Sequence, residues 1–147
     1  MILSAKGQNG KPARTVVITI CCREKDNRPE PLAAVERYRS ERIQSLHRLS
    51  RQAGLPFLIL SGRFGLLEPD APIPYYDYLL EEKDIVPLSL KIGRDLSRKE
   101  ISKIIYFLPD PVRDPKVIPY REAIRRAAAG RGIELEIRII PPLPSSI

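Results

Sequence analysis

A chain of 147 residues, 43% of them hydrophobic, is long enough for one core and short for two, so a single domain is expected over 1–147. Apolar runs of only a few residues, and an N-terminus without the apolar centre or cleavage site of a signal peptide, exclude a membrane protein and point to the cytoplasm. One histidine and two adjacent cysteines leave a metal centre of nitrogen and sulfur ligands short of partners, so no metal and no cofactor are expected, while a net charge of +7 favours phosphate-bearing partners.

Residues 1–14 are polar, with two glycines and a proline, and read as a flexible arm. TVVITI, residues 15–20, is β-branched and apolar on both faces, the pattern of a buried parallel strand. It runs straight into Cys21-Cys22-Arg23-Glu24-Lys25. Adjacent cysteines cannot staple the fold, so they are thiols. Two roles stand open for them: a nucleophile, if Arg23, Lys25 or a helix end lowers the thiol pKa, or small buried apolar side chains.

Between 31 and 53 apolar residues recur at helical spacing, with Gly54 as C-terminal cap and Pro56 preventing continuation. Ser40, three residues before Ile43, offers a fresh start, so the segment reads as one helix or two. His47 lies among arginines here, as a surface helix residue or a general base.

FLIL, 57–60, reads as the second buried strand and leads into SGRFGLLEPD. Gly62 and Gly65 allow unusual backbone shapes and close approach of amides to a ligand, and Arg63 offers a planar fork for phosphate or carboxylate. Two readings of this turn stand: an anion or nucleotide cradle, or a plain strand exit. Its spacing does not match the phosphate-loop or dinucleotide glycine patterns.

PDAPIPYYDYLL, 69–80, follows with three tyrosines and Asp77. Tyr rings such as Tyr76 stack on a base or serve as packing, and Asp77 is the acid–base candidate of the segment. Asp84 can cap a helix over Ile85, Leu88, Ile92 and Leu96, weakened by Gly93. KIIYFL, 103–108, reads as a third strand stopped by Pro109-Asp110-Pro111, and Pro119 opens another helix that ends at Gly130. ELEIRII, 134–140, is a fourth strand before the tail PPLPSSI, a candidate polyproline contact.

This alternation predicts an α/β three-layer sandwich with a mainly parallel sheet of about four strands. In such sheets ligands sit beyond the carboxyl ends of the strands, where strand order reverses. That would bring the Cys21–Lys25 and Ser61–Gly65 segments to one crevice. Abundant charge and proline with little Met, Asn and Gln fit a thermophilic source.

Cys21-x-x-x-Lys25, then Arg37-Tyr38-x-Ser40, then Ser61-Gly62-Arg63-Phe64-Gly65-Leu66-Leu67-x-Pro69, then Ile73 and Tyr76-Asp77, together resemble a family of small bacterial and archaeal α/β domains of unknown function. The resemblance covers residues 15–80, implies a Rossmann-like or uracil-DNA-glycosylase-like fold, and brings Tyr38 and Ser40 into the set of site residues. A similar domain occurs in archaeosine synthase, whose signature continues Pro-Tyr-x-x-Ser-x-x-His after the lysine. Here Asp26-Asn27 follow Lys25, so that enzyme's amidine-forming chemistry does not carry over. The resemblance implies a nucleoside-like pocket near Cys21, Lys25, Ser61, Arg63 and Asp77.

Two functions follow as expectations. One is a domain that binds or processes a nucleoside or nucleotide by glycosyl transfer or hydrolysis, with Cys21, Lys25 and Asp77 as catalytic candidates. Ser61, Gly62, Arg63, Gly65, Tyr38, Ser40 and Tyr76 are then the binding candidates. The other is a nonenzymatic RNA- or DNA-binding or accessory module, using Arg37, Arg39, Arg42, Arg48 and Arg51 against phosphates.

Overall fold

The computed structural model describes residues 14–140; the 1–13 part of the arm and the tail at 141–147 lie outside the described residues. Four strands run parallel: β1 (Thr15–Ile20), β3 (Phe57–Ser61), β6 (Lys103–Pro109) and β7 (Glu134–Ile140). The sheet has five strands rather than four, because β4 (Gly65–Leu67) folds back antiparallel on β3. A three-residue apolar segment is too short to announce itself as a strand. The order across the sheet is β4-β3-β1-β6-β7. A separate two-stranded ladder joins β2 (Leu32–Ala33) to β5 (Pro72–Ile73).

Every residue of β1 and β3 is buried, as the two-sided apolar runs require. Val16, Ile18 and Ile20 face one helical layer, formed by α3 (Ile85–Arg98) and α4 (Ile118–Arg131). Val17, with Phe57 and Ile59, faces the other, where α2 (Glu41–Gln52) supplies Ile43 and Leu46. Helices therefore cover both faces. From β1 the chain crosses by α2 to β3 on one side, then returns by α3 past β1 to β6 on the other. Opposite directions with helices on opposite faces are what right-handed crossovers demand.

The 31–53 segment resolves into two helices. A short α1 (Ala34–Arg37) ends in extended backbone at Tyr38, and Ser40 caps α2 by accepting a hydrogen bond from the Ile43 amide at 3.3 Å. Gly54 takes φ 69°, and closes the end of α2. Asp84 does not cap α3: it ends a 3-10 turn, Glu82–Asp84, and its carboxylate accepts from the Glu81 amide and the Tyr78 hydroxyl. α4 runs past Gly130 to a left-handed cap at Gly132, because a helix-interior glycine costs only about 1 kcal/mol against alanine.

Candidate functional site

β1 and β6 are neighbours whose outgoing connections leave in opposite directions, so a crevice opens beyond their carboxyl ends. A hollow of about 700 Å³ occupies that place. One wall is the segment after β1, Cys21 to Lys25; the other is the loop after β6, including Asp110, Arg113, Asp114 and Lys116. Ser40 and Arg42 at the start of α2 and Asp77, Tyr78 and Leu79 complete it. Six cationic side chains meet four carboxylates around the lining, which leaves it net basic.

The wall after β1 is built by backbone as much as by side chains. Lys25 forms an isolated antiparallel bridge with Tyr38. Beneath it Arg37, fully buried, donates to the carbonyls of Asp26 at 2.7 Å, Arg28 at 2.8 Å, Glu30 at 2.6 Å and Ile73 at 3.1 Å. Carbonyl dipoles thus offset the burial of this guanidinium. Arg28 grips Asp26 from the other side through both side-chain oxygens, and holds that carboxyl down at about 2. Arg42 donates to the Thr19 hydroxyl and the Ile20 carbonyl, each at 2.6 Å, which fixes the end of β1 against α2.

Cys21 stands where the two strand ends meet. Burial pushes its thiol pKa up, and the Gly62 amide, Lys25, the Tyr76 hydroxyl and Arg42 pull the other way. Burial outweighs them. Cys22 is pushed up to about 11, again by burial, and its thiol donates to the Glu24 carbonyl at 3.1 Å. Burial thus works against the lowered pKa that a nucleophilic thiol needs.

The turn after β3 is a β-hairpin with Ser61 paired to Gly65 across three loop residues. Gly65 at φ 79° supplies the left-handed residue that such a loop needs. The turn's polar groups are used internally. Ser61 Oγ accepts from the amides of Arg63 at 3.1 Å and Phe64 at 3.0 Å, and Lys91 Nζ donates to the Phe64 carbonyl at 2.8 Å. Gly62 packs so tightly that a Cβ there would lie 2.9 Å from Tyr120 Oη. The exposed Arg63 guanidinium sits beside the Phe64 ring and is not among the residues that line the hollow.

Ser61, Tyr38 and Tyr76 form one buried chain of hydroxyls: Ser61 Oγ lies 3.0 Å from Tyr76 Oη, which also pairs with Tyr38 Oη. Burial raises the pKa of both tyrosines. Lys25 Nζ sits 4.7 Å from the Tyr76 ring centroid, a cation–π contact that ties this chain to the hollow.

Among the sequence candidates, Cys21, Lys25, Ser40 and Asp77 therefore share the hollow. Tyr38, Ser61 and Tyr76 lie behind its wall, and Gly62, Arg63 and Gly65 belong to the neighbouring hairpin. The three tyrosines of 69–80 part company: Tyr75 is exposed, Tyr76 buried, and Tyr78 lines the hollow. His47 stacks on Phe57 at 5.3 Å, away from the hollow, with its pKa lowered by burial and by Arg51. Sequence reasoning missed the loop after β6. Its signal was available: once β6 is placed beside β1, whatever follows β6 must face whatever follows β1.

Of the five arginines considered for a phosphate-binding face, Arg37 is buried and Arg42 is turned into the end of β1, which leaves Arg39, Arg48 and Arg51 exposed. Among the described residues no helix is long and apolar enough to cross a membrane, and no group of three or more His, Cys, Asp or Glu is placed to hold a metal ion. No protein-family model, no curated protein and no solved structure matches this chain.

Proposed function

We propose that the domain binds a nucleoside or nucleotide in the hollow at the carboxyl ends of β1 and β6. The observation that carries the reading is the coincidence of the switch in strand order with a net basic hollow of about 700 Å³, a size that suits a small ligand. In this reading the sheet is Rossmann-like. Arg23, Arg113 and Lys116 hold phosphate, and the face of Tyr78 takes the base. Asp77 stabilises positive charge at a sugar carbon during glycosyl transfer or hydrolysis. The family resemblance of the 15–80 segment implies the same class of ligand.

A thermal-shift series with nucleosides, nucleoside monophosphates and inorganic pyrophosphate tests this. Nucleotides raise the unfolding temperature with concentration, by mass action. The double substitution Arg113→Ala with Lys116→Ala weakens nucleotide binding about tenfold or more while leaving nucleoside binding within twofold. Arg126→Ala, on the exposed side of α4, leaves both unchanged. No shift with any of these ligands at millimolar concentration, together with a steep salt dependence of RNA binding, would favour the nucleic-acid module instead.

A further inference from the structure

β7 ends the sheet on the side away from β4 and pairs only with β6. Its outer edge presents the backbone groups of Leu135, Ile137 and Ile139, which alternate with those bonded towards β6 and have no partner among the described residues. Proteins usually blunt such an edge with proline, an inward charge, a bulge or a short strand. ELEIRII has no proline, glycine or lysine, and its register with β6 runs unbroken from Lys103↔Glu134 to Pro109↔Ile140. The opposite edge, β4, is only three residues long. One edge of the sheet is short, and the other, among the described residues, is long enough to pair.

The side chains of β7 specify the partner. Leu135 and Ile137 face the layer of α3 and α4, and Ile139 is 47% exposed. The alternate residues, Glu136 and Arg138, point to the other face, where they pair at 2.8 Å and Arg138 lies over the Phe107 ring. We infer that β7 pairs antiparallel with β7 of a second copy of this chain, about a two-fold axis through Ile137, to give one continuous sheet of ten strands, five from each copy.

In that register Glu136 sits opposite the second copy's Arg138 on one face, and Leu135 opposite its Ile139 on the other. Charge meets opposite charge twice, and half-exposed apolar groups meet each other twice. Neighbouring registers are worse. Moving the axis to Glu136 sets that carboxylate against itself, and moving it to Arg138 does the same with the guanidinium. A slip by one residue would turn the apolar row onto the charged face. The hollow reaches Ile140 at the end of β7, and antiparallel pairing sets the two hollows at opposite ends of the joined sheet.

Light scattering of the full chain over a concentration series tests the assembly. The wild type runs at twice the chain mass. Arg138→Glu, which sets like charges together at both cross-strand positions, raises the dissociation constant about tenfold or more. The double swap Glu136→Arg with Arg138→Glu restores complementarity and brings the dimer back. A wild type that stays at the mass of one chain, or a dimer indifferent to Arg138→Glu, would overturn the inference. Amide exchange on the wild type gives an answer that needs no variant: protection of the outward amides of β7 rises with chain concentration, and protection independent of concentration would equally overturn it.

Discussion

The exits from β3, β1 and β6 stand side by side at the same end of the sheet, and they differ in what they leave free. The exit from β3, through Ser61 to Gly65, carries the glycines and arginine that look most like a binding loop, yet the amides of Arg63 and Phe64 are taken by Ser61, that of Gly62 by Cys21, and the Phe64 carbonyl by Lys91. The exits from β1 and β6 carry two cysteines and a run of prolines and aspartates, and between them the hollow opens. Residue type alone does not make a site. What decides is whether the fold leaves the polar groups unspent, and strand order sets that.

Arg37 holds the wall after β1 from beneath. Arg37→Ala leaves four carbonyls, one buried and three partly so, without their donor, and empties a fully buried position, so a loss of about 3 kcal/mol is expected in denaturant unfolding. Arg37→Lys cannot span the same four acceptors and rescues little.

Next in size is the chemistry of the open side. With Cys22 raised from an ordinary 9 to about 11, alkylation by iodoacetamide at pH 8 runs roughly a hundredfold slower in the folded protein than in the unfolded chain. Because the folded pKa is the higher of the two, the stability linked to this thiol is complete below pH 9 and declines as pH rises toward 11. A fast-reacting Cys22 at pH 8 would show the wall to be looser than described.

On the closed side, Gly62→Ala drives a methyl group into Tyr120 Oη and Leu80 and costs about 1–3 kcal/mol, read from the same unfolding curves. The smallest effect sharpens the contrast. Arg63→Ala removes an exposed side chain outside the hollow, changes stability by about 0.5 kcal/mol at most, and leaves ligand binding in the hollow unaltered. A large loss of binding in this variant would return the site to the hairpin.

The strands β1, β3 and β6 are legible in the sequence because β-branched and aliphatic runs leave almost no solvent-facing residue to accommodate, and β7 because Leu135, Ile137 and Ile139 alternate with Glu134, Glu136 and Arg138. The break between α1 and α2 is legible through Ser40, whose side chain can do at a helix start what a buried turn cannot. Ladders of two or three residues, such as β2 with β5, carry no periodicity and were invisible. Arg37 looked like any arginine on an amphipathic helix, since only the path of the 26–30 segment creates the carbonyl cluster that draws it inside. The lining of the hollow was half legible. Cys21, Lys25 and Asp77 were found as strand-exit and loop residues, whereas Arg113 and Lys116 were hidden because their segment reads as a stop signal until β6 is set next to β1.

The guanidinium clasp beneath the 26–30 segment orders the wall after β1 in advance. A loop tied at three carbonyls and bridged at Lys25 gives up its freedom when the chain folds, not when a guest arrives. A ligand entering the cleft beside it would meet a wall already in shape on that side.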